Sequence, residues 1–206
     1  MKNPPEDGPR IIDLAGYEVV VGVSGGIAAY KVCEVVSSLV QRGAGVTAAM
    51  TRAARKFVGP VTFQALSGRP VLTSLWHSME EADVRHIALS GQADLMLIAP
   101  ATADIIGRIA HGLADDAVTT LVVSADSPVL LAPAMNDRMW ANPIVRENVK
   151  RLVDRGYSFI EPGVGWLACR NVGPGRMAEP KDIIEAVAAK LKVQPPRRET
   201  KNDAPR

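Results

Sequence analysis

The sequence predicts an α/β fold in a single domain, a doubly wound parallel sheet held between two layers of helices as a three-layer sandwich. Three observations carry this expectation. Short runs rich in Val, Leu, Ile and Ala alternate along the chain with segments whose apolar residues recur at helical spacing. These runs lack the polar alternation of half-buried strands, as strands covered on both faces do. The first of them stops at Ser24-Gly25-Gly26 and passes at once into a helical pattern.

Taken in chain order, YEVVVGV (17–23) reads as the first strand and IAAYKVCEVVSSLVQRG as the first helix, which ends on Gly43, a residue suited to a helix C-terminus. Cys33 falls within the apolar pattern of that helix and is expected to be a buried small hydrophobe. GVTAAM reads as the second strand, and ADLMLIAPA and SPVLLAPAM as the third and fourth. Helices are predicted over TADIIGRIAHGLA, DDAVTTLVVSA and NPIVRENVKRLVDRG, and YSFIEP reads as a last strand before the helix PKDIIEAVAAKLK. Between those two lies GWLACRNVGPGRM (166–178), which has neither periodicity and reads as a loop.

Bulk properties narrow the class. The 206 residues suffice for one core, and 24 basic against 22 acidic residues give a net charge of only +2 with no concentrated patch. That argues against nucleic acid and anionic membrane surfaces as partners. Two cysteines, with no Cys-x-x-Cys, exclude a disulfide framework and suit a reducing cytosol. The opening MKNPPEDGPR lacks the apolar run of a secretory signal, and nothing later approaches the ~18 apolar residues of a spanning helix, so a cytoplasmic protein is expected. Residues 1–16 and 193–206 are polar and proline-containing and are expected to be mobile tails around a domain of residues 17–192.

In doubly wound sheets ligands bind beyond the carboxyl ends of the strands, and the unusual stretches GVSGG, MTRAA, APATAD and APAMNDRMW all fall there. Small residues in GVSGGIAAYK let a ligand approach backbone and let an anion meet free amides at a helix N-terminus. The spacing of Gly22, Gly25 and Gly26 fits neither G-x-G-x-x-G nor a Walker motif. The second strand ends in Thr51-Arg52, not in the acid that holds a dinucleotide ribose, which favours a mononucleotide such as FMN over NAD. The competing reading is that the glycines serve only helix–strand packing. His77, His86 and His111 have no metal-ligand spacing, and no metal is expected. His86 is expected near the ligand edge, with a surface or capping role as the alternative, and Asn136 is either a ligand contact or the N-cap of a helix over DRMW. Cys169, flanked by cations in an irregular stretch, is either a reactive thiol or an unremarkable one.

The segments GVSGGIAAYK, HI followed by ADLMLIAPATAD, GLADD, PAMNDRMWANP and LACRNVGPGRMAEP occur in that order, and together they resemble the homo-oligomeric flavin-containing cysteine decarboxylases over residues 17–185. The resemblance implies a Rossmann-like flavoprotein sandwich with bound FMN. It implies that Ser24, Gly25, Gly26 and Thr51 meet the phosphate and ribityl chain while Thr102, Ala103, Asp104 and Ala134 line the flavin. His86 and Cys169 match catalytic positions, Cys169 on a flap that closes over substrate, and Asn136, Met135, Ala168 and Arg176 match substrate contacts. The resemblance is strongest to members that convert 4'-phosphopantothenoylcysteine to 4'-phosphopantetheine and carbon dioxide. Relatives acting on a C-terminal peptide cysteine, and non-catalytic FMN-binding regulators, are the alternatives. The chemistry implied is transient oxidation of the thiol, which gives the electrons left by carbon dioxide a sink, followed by re-reduction with a proton from Cys169. The family also implies trimers, four of which can form a dodecamer, and members are often fused to a synthetase. Two departures stand out: Ala103-Asp104-Ile105 where Ala-Asn-Thr is frequent, and Arg170 where glycine is common.

Overall fold

The computed structural model describes residues 13–75, 88–166, 168 and 170–197. Five parallel strands form the main sheet in the order β2-β1-β3-β4-β5: β1 (Glu18–Val23), β2 (Gly45–Met50), β3 (Leu95–Ala101), β4 (Val129–Pro133) and β5 (Ser158–Phe159). All seven residues of β3 and all five of β4 are buried, which explains their unbroken apolar sequences. Both faces are covered, and the pleat sorts successive side chains to opposite sides. Val19, Val21, Val23, Leu95, Leu97 and Ala99 face one core, completed by α1 (Ala29–Gln41), Phe63 of α2 (Pro60–Ser67) and the C-terminal helix α7 (Pro180–Leu191). Val20, Met96, Ile98 and Leu131 face the other, under α3 (Ala103–Ala110), α4 (Ala117–Val123) and α6 (Pro143–Asp154). At about 1.5–3 kcal/mol for each fully buried aliphatic side chain, β3 contributes most to holding the layers together. The expected doubly wound sandwich is therefore the observed one.

Local signals set the helix ends. Asp116 accepts from the amides of Val118 and Thr119 at 2.8 and 2.9 Å, and the Thr119 hydroxyl returns to the Asp116 amide, a capping box that starts α4. Asn142 caps α6 ahead of Pro143, and Gly68 ends α2 in the left-handed region.

Several expectations need correction. The stretch read as a loop contains a strand, β7 (Val172–Arg176), and the last residue of another, β6 (Gly163–Trp166), the two paired antiparallel as a separate hairpin. Its alternation is of glycine with apolar residues, and glycine hides a strand from propensity arguments. α2 and a 3-10 turn at Ala54–Lys56, between β2 and β3, were not anticipated. Cys33 is half-buried and not a core residue, though burial still pushes its thiol pKa up. Packing also extends past both expected ends. Leu14 is fully buried, Asp13 pairs with Arg42 and Lys192 at 2.6 Å each, Tyr17 donates its hydroxyl to the Gln194 carbonyl at 2.8 Å, and the Arg197 amide donates to Asp94 at 2.7 Å. Among the described residues no helix is long and apolar enough to cross a membrane.

Candidate active site

The sheet winds from β1 to β2 in one direction and from β1 through β3 to β5 in the other, so the loops after β1 and β3 diverge and leave a crevice between them. A cleft of about 1310 Å³ opens there. It is lined by all twelve described candidates: Ser24, Gly25, Gly26, Thr51, Thr102, Ala103, Asp104, Ala134, Met135, Asn136, Ala168 and Arg176. His86 and Cys169 lie outside the described residues, as does His77.

The floor is built where side chains are missing. A Cβ on Gly25 would stand 2.4 Å from the Cβ of Ala53, and one on Gly26 would press on the Thr102 methyl at 3.3 Å, so the loops after β1, β2 and β3 pack closely because these two residues carry no side chain. Close packing between loops thus rests on the same glycines whose backbone lines the cleft. The hydroxyls beside them are committed to shaping the loops. Ser24 donates to the Pro100 carbonyl at 2.6 Å and accepts from the Thr102 amide at 3.3 Å. Thr51 accepts from the Ala54 amide at 3.1 Å, closing a turn over Arg52 that leads into the 3-10 turn ending at Lys56. Thr102 caps α3. Asn136 is indeed an N-cap: its Oδ1 accepts from the Arg138 amide at 2.8 Å and starts the short helix α5 (Asp137–Ala141).

Charge in the cleft is net positive. Lys31, Arg52, Lys56, Arg108 and Arg176 line it against Asp104, Asp115 and Asp116. Arg108 is gripped by both oxygens of Asp104 at 3.0 Å and both of Asp115 at 2.6 and 2.8 Å, which raises its pKa and lowers that of Asp115. Asp104, the departure nearest the expected flavin, therefore has its charge countered within α3. Glu179, at the start of α7, bridges Lys31 at 2.9 Å and Arg176 at 2.6 Å, and the Lys31 hydrogen bond holds its carboxyl below the usual range. Arg52 and Lys56 have no ion-pair partner among the described residues. That arrangement suits an anion such as a phosphate. Ile27, Tyr30, Met139 and Trp166 supply an exposed apolar wall, and none was anticipated. Ile27, Tyr30 and Met139 fall within the quoted motifs and Trp166 beside one.

Arg170 is the single non-glycine among the described residues with φ in the left-handed region, at 67°. Glycine adopts that conformation freely, and arginine meets it at a cost of roughly 1–2 kcal/mol. His111 caps the end of α3, with Nδ1 2.8 Å from the Gly107 carbonyl, and no group of three His, Cys, Asp or Glu side chains among the described residues is placed to hold a metal.

Residues 12–192 match the model of the family described as Flavoprotein. The bifunctional coenzyme A biosynthesis protein CoaBC of Vibrio cholerae is 50% identical over 171 residues, 83% of this chain and 43% of that protein. The chain thus spans less than half the length of this relative. Among solved structures, a cysteine-to-serine mutant of PPC decarboxylase complexed with pantothenoylaminoethenethiol superposes with a TM-score of 0.77 at 30% identity, covering 85% of this chain and 98% of that one. The FMN-dependent cysteine decarboxylase SpaF does so with a TM-score of 0.74 at 32% identity, covering 87% and 97%. The likeness to cysteine decarboxylases read from the motifs is borne out, and the chain belongs to the Flavoprotein family.

Proposed function

We propose that this chain binds FMN and decarboxylates 4'-phosphopantothenoylcysteine to 4'-phosphopantetheine. The observation that carries the reading is the convergence of the loops after β1 to β4, together with the hairpin, on one positively charged cleft at the switch point of a sheet like that of PPC decarboxylase. The floor fits the cofactor: Gly25 offers its backbone amide without a side chain, Gly26, whose amide donates to the Ser24 carbonyl at 3.1 Å, leaves open space beside it, Thr51 and Arg52 stand next to them, and Thr102, Ala103, Asp104 and Ala134 form the wall against a planar ring. Bound FMN supplies reversible two-electron oxidation at the substrate thiol carbon, the sink that loss of carbon dioxide requires.

The protein's own residues then orient and protonate. Asn136 holds the substrate carboxylate with a neutral amide, which adds no charge that would favour its hydration. Met135 and Ala168 bound the cysteinyl end, and Arg176 meets the substrate phosphate. His86 assists thiol oxidation, and Cys169 donates the proton of the final reduction from a hairpin that excludes water. The exposed apolar groups Ile27, Tyr30, Met139 and Trp166 at the cleft support a homo-oligomer, read as a trimer or a dodecamer of four trimers, which light scattering tests. The reaction is read as cytoplasmic, where substrate and protein thiols stay reduced.

The test is to load the full chain with FMN, exclude air, and add either 4'-phosphopantothenoylcysteine or a cysteine-ended peptide. Bleaching of the visible absorption and a product lighter by carbon dioxide are expected with the first. Turnover of the peptide alone would transfer the reading to peptide decarboxylation, and neither reaction would reduce it to binding. Cys169→Ser is expected to release unreduced enethiol, whereas His86→Asn is expected to retain FMN and block the first step.

A further inference from the structure

The β6–β7 hairpin stands outside the main sheet, and two paired strands alone are marginal in water. Its outer face carries Val164, Trp166 and Val172, each more than 60% exposed, while its inner face is glycine at 163, 165, 173 and 175. Glycine buries little apolar area, so specific contacts must hold this ribbon in place. Besides the Arg176–Glu179 ion pair, close contacts fall on Met135, Asn136 and Asp137. The Met135 amide donates to the Gly175 carbonyl at 2.9 Å, and Gly175, at φ 118°, passes so near the Met135 carbonyl that a Cβ would lie 2.5 Å from its oxygen. Gly173 lies over Asp137, where a Cβ would meet the Asp137 Cβ at 3.0 Å and Oδ2 at 3.3 Å.

Asp137 is also the residue after Asn136, on a helix anchored by the buried Trp140, over which Arg146 stacks at 4.5 Å. Its Oδ1 is buried and accepts no hydrogen bond from the described residues. A buried acceptor without a donor is disfavoured, because its hydration is lost and nothing replaces it. The element packed on it is the hairpin, between whose strands the proposed acid Cys169 falls in the sequence.

From this we infer that Asp137 is the positioning residue that seats the hairpin: when substrate lies in the cleft, Oδ1 receives a hydrogen bond from the hairpin and fixes it over Asn136. The inference rests on the proposed decarboxylation for the identity of that substrate, while the seat itself is a property of the chain. It makes Asp137 act through Asn136 and the hairpin, without touching substrate.

The test compares the FMN-loaded full chain with Asp137→Asn, which keeps an acceptor oxygen, and with Asp137→Leu, which keeps the branching but loses it. Gly173→Ala, which lifts the hairpin from the opposite side, is the second route should Asp137→Leu fail to fold. Two readouts are taken: tryptic cleavage after the exposed Arg170, with and without 4'-phosphopantetheine, and the fraction of product released as unreduced enethiol. In the wild type and Asp137→Asn the ligand is expected to slow cleavage at least tenfold. In Asp137→Leu and Gly173→Ala protection is expected to vanish and the enethiol fraction to rise at least fivefold. Equal protection and equal product partition in all four proteins would overturn the seat even if decarboxylation is normal. Conversely, a wild type that turns over no substrate, yet resists trypsin tenfold better than Asp137→Leu, leaves the seat standing and removes the proposed reaction.

Discussion

Ser24 gives its hydroxyl proton to the carbonyl of Pro100 at 2.6 Å, joining the ends of β1 and β3 at the point where the winding of the sheet reverses. The bond is buried, and it sets the gap between the two loops that form the cleft floor. Ser24→Ala leaves that carbonyl without its partner, which costs about 1–3 kcal/mol. Urea denaturation of the FMN-free protein is expected to show the loss as a lower midpoint with an unchanged slope, and FMN affinity is expected to fall alongside it.

Arg52 extends from the turn that Thr51 holds, and no acid among the described residues neutralises it. If the cofactor phosphate lies beside Thr51, Arg52→Ala should weaken FMN binding about threefold to tenfold, roughly 1 kcal/mol, with the difference shrinking as salt is added. Flavin fluorescence titrations at low and high ionic strength measure both quantities. An affinity unchanged at low salt would remove Arg52 from the phosphate site.

Asp13 links the start of the chain to Arg42 on the loop after α1 and to Lys192 after α7, and the two cations hold its carboxyl far below the ordinary range, the Arg42 hydrogen bond contributing most. A carboxyl with a depressed folded-state pKa stabilises the fold fully above its unfolded value near pH 4, and the contribution is lost as the pH falls through the lower folded value. Asp13→Asn is therefore expected to lower Tm at pH 7 by roughly 2–4 °C, the equivalent of about 1 kcal/mol for a domain of this size. The gap from the wild type should close progressively below pH 4. A gap undiminished at pH 2 would assign the loss to packing and not to charge.

Arg170 occupies a left-handed backbone conformation that glycine adopts freely. Arg170→Gly is expected to leave Tm unchanged or raise it slightly, whereas Arg170→Val, branched at Cβ, should destabilise the hairpin by roughly 1–2 kcal/mol. Hydrogen exchange across Val172–Arg176 reads the effect locally, where global unfolding would average it away.

Much of the fold was legible because its signals are local or periodic. The buried strands β1, β3 and β4, the capping residues Asp116 and Asn142, and the glycines after β1 each carry their structural role in a few consecutive residues. Position relative to strand ends sufficed to gather the candidates after β1 to β4 on one edge, since parallel strands present all their carboxyl ends together, whereas Ala168 and Arg176 came from the resemblance alone. Other features depend on atoms brought together from distant parts of the chain. The sequence contains Asp104 and Arg108 but not the grip of Asp115 that completes their neutralisation, and it contains Lys31 and Glu179 with 147 residues between them. Nor does it announce that the glycines of the hairpin face Asp137, because a missing side chain has no periodicity to read. One-dimensional order thus determined the layers, the edge and the chemistry-bearing residues, while the partners of each charge and the seat of the hairpin were decided by tertiary packing, through contacts that decay within a few ångströms and carry no record in the order of residues.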